Sequence, residues 1–272
     1  MKPDELDFVA ELARVRAGLM VDRDRLYVVE SRLGPVARRE GFGSIREMLL
    51  ACRQRKDERL IWMVIESLAA GETYFFRDKP AFTRLGEEIL PELMRRRGDN
   101  PIRVWSAGCS TGQEPYSLAL QVEEAREQLP PGRVEILGTD LSERSLHKAQ
   151  EGLYNQFEVQ RGLPIRLLLR HFERQDEMWR VSPRIRAMAR WRRVNLNADF
   201  RALGRFDVVF CRNVLEGMDP ASARRAFEQL SLALEPGGYL VLSETEAAPA
   251  AIEGLQSAGG GIFRADPRRA AA

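Results

Sequence analysis

Polar residues that could hold a ligand follow two short apolar segments in the second half of the chain. Asp140 ends the segment VEILGTD, and Cys211-Arg212-Asn213 follows FDVVF. A carboxylate in the place of Asp140 can accept hydrogen bonds from both hydroxyls of a ribose, although it could also stabilise the first turn of a helix that begins at Ser142. A polar triplet at the carboxyl end of a buried strand is more often functional than structural in an open α/β sheet.

A loop of small residues, Ser106 to Gly112, follows an earlier apolar segment, IRVWSA. Small residues such as Gly108 let a ligand approach the backbone closely, although they also form ordinary tight turns. The loop matches neither the GxGxxG nor the Walker pattern, so a phosphate cradle is not indicated. Together with Asp140, the loop favours a nucleoside ligand, without separating a nicotinamide nucleotide from S-adenosylmethionine (SAM).

Two further segments carry polar side chains whose roles the residues alone leave open. In ETYFFRD, residues 72–78, the aromatic rings could form an interdomain plug, with Arg77 paired to Asp78. Asn195, which precedes Leu196, could hydrogen-bond the edge of an adenine or only its own turn.

The first ~70 residues show helical periodicity only, which predicts a small helical domain. Asp22, Ser44 and Asp57 are positioned to cap helices. Gly34-Pro35 is expected to end the second helix, because proline disrupts helix interiors. The many arginines of this domain form either a solvated face or a basic patch that meets an acidic helical partner.

From about residue 100, apolar segments alternate with helical patterns, which predicts an α/β fold with a mostly parallel sheet and helices on both faces. The predicted strands are IRVWSA, VEILGTD, FDVVFCRN and EPGGYLVLSETE, and a helix is predicted over residues 114–129. Between Arg170 and Asn195, strand-like pieces follow one another without a helix, which predicts a small antiparallel insertion. The expected division is a helical domain at 1–71, a linker and connecting helix at 72–100, and the α/β domain at 101–272, with the insertion at about 172–194.

Composition excludes several classes of protein. The net charge is only +2 with 42 basic residues among 272, which does not favour a nucleic-acid binder. No apolar segment approaches the ~20 residues that span a bilayer, and the acidic N-terminus lacks the pattern of a signal peptide. The three cysteines and two histidines lack the spacing of a disulfide framework or a metal site, so we expect no metal and a reducing, cytoplasmic location.

Several of these segments occur in the order and spacing of one family. The chain resembles the CheR chemotaxis methyltransferases over nearly its whole length, through ETYFFRD (72–78), RVWSAGCSTGQEPYSLA (103–119), ILGTDLS (136–142), VNL (194–196), FDVVFCRNVL (206–215) and LEPGGYLVLSETE (234–246). The resemblance implies a Rossmann-like SAM-dependent methyltransferase domain with an N-terminal helical domain and a small antiparallel β-subdomain. It also implies a protein-glutamate O-methyltransferase that acts on the cytoplasmic methylation helices of chemoreceptors, reaches the membrane only through the receptor, and releases S-adenosylhomocysteine (SAH).

The resemblance assigns roles to residues at the matching positions. Arg212 and Asn213 are expected beside the reacting centre, Thr73 and Arg77 in the SAM and substrate pocket, and Asp140 at the ribose. Arg77 and Arg212 are the expected catalytic residues. Glu114 is expected at the methionine or ribose end of SAM. The full set expected to bind the cofactor is Thr73, Arg77, Gly108, Glu114, Asp140, Asn195, Leu196, Arg212 and Asn213.

These residue types suit methyl transfer to a carboxylate. A glutamate side chain is already ionised at neutral pH, so the reaction needs no general base. The sulfonium methyl group is electrophilic without a metal, which leaves positioning and the exclusion of water to the protein. Arginines can hold the carboxylate, but too strong a grip would stabilise the ground state. We therefore expect orienting roles for Arg77 and Arg212.

The chain departs from the family pattern at a few positions. After CRNVL, the residues Glu216-Gly217-Met218 replace an Ile-Tyr-Phe-like triplet, so the tyrosine that would face the substrate is missing. Gly71 stands where the family tends to have asparagine, and Gln113 replaces a common glutamate. The stretch that contains the β-subdomain is short, which predicts a subdomain that does not grip a receptor's tether peptide.

Two other functions remain open from the sequence. The triplet at 216–218 raises the alternative of a non-catalytic or weakly active SAM- or SAH-binding signalling module. A methyltransferase for a small molecule or a nucleic acid ranks third, because the chain has no Asn-Pro-Pro-Tyr-like motif and lacks the overall basic charge and interleaved aromatics expected for nucleic-acid binding.

Overall fold

The computed structural model describes residues 1–69, 71–125 and 133–268. The N-terminal part forms helices around its own apolar core, namely α1 (Pro3–Ala17), α2 (Leu26–Arg39), α3 (Ile45–Arg55) and α4 (Glu58–Leu68). Ser44 and Asp57 cap α3 and α4 as predicted, since their side-chain oxygens accept backbone N–H groups of the first turn. Asp22 instead caps a short 3₁₀ turn that precedes α2.

The prediction that Gly34-Pro35 ends the second helix was wrong. Helix α2 continues to Arg39 with Pro35 in its interior. A proline removes one intrahelical hydrogen bond, but the turns on both sides bury apolar side chains, including those of Leu33 and Val36. This burial keeps the helix in one piece.

The connecting segment is helical. It consists of α5 (Lys79–Arg84), a π-helical turn (Leu85–Ile89) and α6 (Leu90–Arg97). The remaining elements are β1 (Ile102–Ala107), α7 (Gln113–Glu124), β2 (Val134–Asp140), α8 (Glu143–Glu151), β3 (Leu153–Asn155), α9 (Gln156–Gln160), α10 (Ile165–His171), β4 (Phe172–Gln175), β5 (Met178–Val181), α11 (Pro183–Arg186), β6 (Ala189–Arg193), β7 (Phe206–Phe210), α12 (Pro220–Leu232), β8 (Leu234–Val241), β9 (Leu255–Gly259) and β10 (Ile262–Ala265).

Seven strands form the main sheet in the order β6-β2-β1-β7-β8-β10-β9. The first five of these strands pair in parallel, and β10 pairs antiparallel with both neighbours. Successive strand residues face opposite sides, so Val104 joins the core on one side and Trp105 the core on the other. The four strands predicted from the sequence are all present, within an α/β fold. The end of the helix predicted over 114–129 lies outside the described residues, which stop at 125.

The predicted antiparallel insertion differs from the structure at both of its limits. The small antiparallel sheet has the order β3-β5-β4, so it includes a strand before residue 172. Strand β6, at Ala189–Arg193, instead pairs in parallel with β2 in the main sheet, and α11 lies between β5 and β6. Trp191 packs directly on Gly138, where a Cβ atom would lie 2.7 Å from the indole. The division of the chain into domains stays a prediction.

Candidate active site: a cleft between the sheet and the helical domain

A cavity of ≈ 300 Å³ lies where the carboxyl ends of the parallel strands meet the helical domain. This volume is at the lower end of the range for ligand pockets. All nine residues that the sequence nominated for cofactor binding line it, together with residues of α1, α2 and α4 and the loops that join them. The structure therefore brings the nominated set together, while the role of each residue stays a prediction.

Asp140 lies at the end of β2 with its carboxylate fixed by the backbone. Its two oxygens accept the N–H groups of Ser110, at 2.8 Å, and Ser142, at 2.9 Å. Burial raises the pKa of Asp140 despite these hydrogen bonds, which favour the ionised form. The residue does stabilise the start of α8, as one alternative held, and its carboxylate also lines the cleft. Each oxygen keeps lone pairs for a ligand hydroxyl.

The loop after β1 approaches its neighbours closely. Gly108 has a φ of +75°, and a Cβ atom there would lie 2.5 Å from Val214 Cγ2, in the loop after β7. The N–H groups of Gly108 and Cys109 both donate to the carbonyl of Thr139, at the end of β2. The loop therefore joins the ends of β2 and β7 and places its backbone at the cleft.

Arg212 is the centre of an ion-pair network at the floor of the cleft. Its side chain is only 1% exposed. One guanidinium nitrogen donates to Glu114 Oε2 at 3.1 Å, and another donates to Asp78 Oδ2. Glu114 Oε1 in turn accepts the hydroxyl of Ser106 at 2.8 Å. Both carboxylates are thus available to balance the buried charge of Arg212.

Asn213 occupies a left-handed backbone conformation at the same edge, with a φ of +57°. Its N–H donates to Glu246 Oε2 at 2.7 Å, and Glu246 also accepts the N–H of Ser243 at 3.0 Å. Glu246 therefore connects the loops after β7 and β8, and burial raises its pKa. Asn213 Oδ1 is buried without a hydrogen-bond partner. A donor group of a ligand in the cleft would satisfy this oxygen.

Arg77 and Thr73 enter the cleft from the segment that follows α4. Arg77 donates to the carbonyl of Glu72 at 2.6 Å and lies 5.6 Å from the Tyr74 ring centre. The pairing of Arg77 with Asp78 that the sequence allowed was wrong, because Asp78 pairs with Arg212. Among the described residues, no carboxylate lies within ion-pair distance of the Arg77 guanidinium.

The rings of Phe75 and Phe76 do not form the interdomain plug that ETYFFRD allowed, because their ring contacts among the described residues are with Phe82, Tyr154 and Phe172, which all follow the helical domain. Phe75 is fully buried and makes edge contacts with Tyr154 at 5.1 Å and Phe172 at 5.7 Å between ring centres. Phe76 packs against Phe82 in the same way. The segment therefore anchors its rings in the core while Thr73 and Arg77 face the cleft.

The helical domain is fastened to the rim of the cleft through Asn195. Its amide nitrogen donates to the carbonyl of Arg16 at 2.7 Å, and its amide oxygen accepts the N–H of Asn197 at 3.0 Å. Asn195 therefore holds its own turn and the last turn of α1, although it also lines the cleft beside Leu196. It follows β6 of the main sheet, not a strand of the insertion as predicted.

A second set of contacts joins the helical domain to the residues after CRNVL. Met20 N–H donates to the carbonyl of Gly217 at 2.9 Å, and Asp219 N–H donates to the carbonyl of Gly18 at 2.7 Å. Gly217 has open space around it, since a Cβ atom built there would meet no atom within 4 Å. The side chain of Met20 lines the cleft nearby and is 60% exposed.

One cationic residue of the cleft was not predicted from the sequence. Arg32, on α2, lines the cleft and donates to the carbonyl of Leu68. No described carboxylate lies within ion-pair distance of it. Nothing in the sequence distinguishes Arg32 from the other arginines of the helical domain, because only the packing of α2 against α4 selects it.

The residues of the cleft do not favour catalysis by a cysteine nucleophile, a histidine or a metal ion. Burial raises the pKa of the Cys109 and Cys211 thiols well above the ordinary value, so neither is a ready nucleophile. No histidine belongs to the lining residues. Within residues 1–69, 71–125 and 133–268, no group of three or more His, Cys, Asp or Glu side chains is placed to hold a metal ion. In the same ranges, no helix is long and apolar enough to cross a bilayer.

Comparison with known proteins decides the family. The model of the CheR methyltransferase SAM-binding domain matches residues 71–259, which is more than half of the chain. The chain belongs to the CheR methyltransferase family. Chemotaxis protein methyltransferase 1 of Pseudomonas aeruginosa is 36% identical over 256 residues, 91% of this chain and 93% of that protein.

Other CheR relatives align over similar lengths. Chemotaxis protein methyltransferase Cher2 of Pseudomonas putida is 34% identical and chemotaxis protein methyltransferase 1 of Vibrio cholerae is 33% identical, each over 85% of this chain. This chain is therefore a SAM-dependent methyltransferase of the chemotaxis type, and the alternative of a non-catalytic binding module is not favoured.

Proposed function

We propose that this CheR protein transfers the methyl group of SAM to glutamate side chains of methyl-accepting chemoreceptors, forming glutamyl methyl esters. One observation carries the choice of a carboxylate acceptor. Arg77 and Arg32 line the cleft with no described carboxylate within ion-pair distance, since the neighbouring Glu72 pairs with Arg161, whereas Arg212 already has two. An anionic acceptor would supply the missing charge.

We expect each part of the cofactor to contact different residues at the ends of the strands. Asp140 would accept the ribose hydroxyls, and Leu196 and the backbone near Asn195 would contact the adenine. Glu114, Thr73 and the unpaired oxygen of Asn213 would face the methionine part, where an ammonium group can donate hydrogen bonds. When bound, SAM supplies an electrophilic methyl group on a sulfonium sulfur.

The side chains of the cleft orient the acceptor and do not move protons. A glutamate is ionised before it arrives, so the absence of a histidine from the lining fits the chemistry. Arg77 would hold one oxygen of the acceptor and direct the other towards the methyl group in line with the breaking bond. Arg212 would shape the floor electrostatically, because its hydrogen bonds to Asp78 and Glu114 already occupy two nitrogens.

The acceptor would approach from the side of the helical domain. Met20 and Gly217 leave the rim open, and Arg32 provides positive charge there. This surface suits the acidic, helical methylation region of a receptor through electrostatic complementarity. The enzyme would meet the membrane only through that receptor, in the cytoplasm.

The decisive experiment is transfer of labelled methyl groups from SAM to receptor-containing membranes. We expect label that is released by mild base, as methyl esters are, and that disappears when the acceptor glutamates are changed to alanine. A receptor with these glutamates changed to aspartate is the matched control for charge. Base-stable label would indicate another acceptor, and no label from a protein that binds SAH would overturn the proposal.

A further inference from the structure

We infer that Asp78 is a positioning residue of the methyltransferase site, which acts through Arg212 and controls how much of Glu114 is free for the cofactor. Asp78 does not line the cleft. It immediately precedes α5 and its carboxylate contacts the Arg212 guanidinium. The Asp78 side chain is 35% exposed, whereas the Arg212 side chain is 1% exposed.

The contacts of Arg212 show why a second carboxylate is needed. A guanidinium carries five N–H donors and cannot lose its charge in a protein. In the buried position of Arg212, Asp78 and Glu114 are the carboxylates in contact with it, and Nε remains buried without a partner. Loss of one carboxylate would leave the other to compensate the whole charge.

The two carboxylates are not equivalent. Glu114 lines the cleft and also accepts a hydrogen bond from the hydroxyl of Ser106. Each hydrogen bond that Arg212 donates to Glu114 therefore competes with a ligand for the same carboxylate. Asp78 is not among the residues that line the cleft, and it accepts a second hydrogen bond from the Ser243 hydroxyl, at 3.2 Å. By sharing Arg212, Asp78 keeps the guanidinium from turning fully onto Glu114.

The backbone around Asp78 is built for this contact. Asp78 has a φ of +52°, in the left-handed region that non-glycine residues rarely adopt, and Phe76 has a φ of +50°. Strained conformations of this kind persist where the surrounding structure enforces them, and they cluster at functional sites. The first turn of α5 also places the Phe82 ring 5.6 Å from the Arg212 guanidinium. The turn thus offers Arg212 a carboxylate and an aromatic ring together.

The test is a double-mutant cycle on SAH affinity, measured by calorimetry on the full chain without any acceptor. We expect Asp78→Asn to weaken SAH binding by about tenfold, and Asp78→Glu to restore most of the affinity. Arg212→Lys keeps the charge but loses the fork. The double variant should bind SAH within about twofold of Arg212→Lys alone, because residues that act through one contact are not additive.

Controls separate positioning from folding. Asp99→Asn changes an exposed carboxylate on the turn before β1 and should leave SAH affinity unchanged. Thermal unfolding of each variant reports stability separately. Ser243→Ala removes the second donor to Asp78, together with a hydroxyl contact to Thr245, and should weaken SAH binding by about threefold if Asp78→Asn does not fold. Wild-type affinity in folded Asp78→Asn, or wild-type affinity in Ser243→Ala when Asp78→Asn is unfolded, would overturn the inference. Independent effects of Asp78→Asn and Arg212→Lys would do the same. None of these outcomes depends on which acceptor the enzyme methylates.

Discussion

The two sides of the cleft differ in how closely their side chains are packed. At the strand ends, Asp140 accepts two backbone N–H groups, and Arg212 is buried between two carboxylates. On the side of the helical domain, Gly217 has empty space around it and Met20 is largely exposed. The difference fits the proposed roles, in which the cofactor would meet a pre-organised surface and the receptor would meet an open rim.

This contrast suits an enzyme with one small cofactor and a large partner. Protein groups that are already fixed lose little conformational entropy when a small ligand binds. An open rim instead leaves part of the acceptor's orientation to surfaces outside the cleft, such as the helical domain. Variants on the two sides should therefore separate SAH affinity from acceptor kinetics.

The largest effect is expected at Asp140. Asp140→Ala removes the proposed ribose acceptor and should weaken SAH binding by roughly a hundredfold, in line with the loss of a charged hydrogen-bonding group. Calorimetry with SAH measures the change. Because Asp140 also holds Ser110 and Ser142, Asp140→Asn serves as the control that retains one oxygen acceptor, and it should lose less affinity. Equal affinity of Asp140→Ala and the wild type would contradict a ribose site here.

A smaller and different effect is expected at Arg32. Arg32→Ala should lower kcat/KM for the receptor by roughly tenfold, equivalent to about 1.4 kcal/mol, because an acceptor carboxylate loses a cationic partner. The affinity for SAH should stay within about twofold of the wild-type value. Arg38→Ala, on the same helix, is the matched control. A parallel loss of SAH affinity would place Arg32 on the cofactor side and remove the contrast between the two sides.

Gly217→Tyr tests the empty space directly. The backbone at Gly217 is outside the left-handed region and a Cβ atom meets nothing within 4 Å, so the free energy of unfolding should change by less than about 0.5 kcal/mol. We expect turnover of the receptor to rise severalfold, because a ring narrows the rim and a hydroxyl can donate to the acceptor. Gly217→Ala should leave turnover unchanged. A fall in turnover with the tyrosine would show that the open rim is required.

The smallest effect is a dependence of SAH affinity on pH. Burial raises the pKa of Asp140, so the ionised form that accepts hydrogen bonds is lost at a higher pH than for an exposed aspartate. SAH affinity should therefore begin to fall, as the pH is lowered from neutral, before an exposed aspartate would be protonated. Asp140→Asn should flatten this dependence.

The sign for stability is opposite. A carboxyl group whose pKa is raised in the folded state contributes stability at low pH, and this contribution is lost as the pH rises through the raised pKa. Asp140 should therefore stabilise the fold in the range where it binds SAH less well. Unfolding by urea, followed over the same pH range in the wild type and in Asp140→Asn, distinguishes this behaviour from general acid unfolding.

Local patterns in the sequence determined the main strands, several helix caps and the edge of the sheet where the polar residues meet. Apolar segments of the right length predicted four of the main strands, and side-chain chemistry predicted the helix caps at Ser44 and Asp57. Parallel strands end at one edge, so polar residues placed after them were expected to meet, and Asp140 and Arg212 do line one cleft. These features depend on the spacing of apolar residues and on residues that are close in the chain, and both can be read from a single sequence.

Only the tertiary structure determined which side chains form ion pairs and which strands are neighbours in the sheet. Arg212 meets Asp78 and Glu114 across 134 and 98 positions of the chain, and the sequence had suggested Arg77 for Asp78 because they are adjacent. Strand β6 pairs with β2 in the main sheet, where the ring of Trp191 packs on Gly138, a position that has no side chain to block it. No local pattern in the sequence predicts this pairing. Ion pairs and sheet edges are chosen by the packing of distant elements, since the free energy of each contact depends on the burial and competing partners that only the folded chain provides.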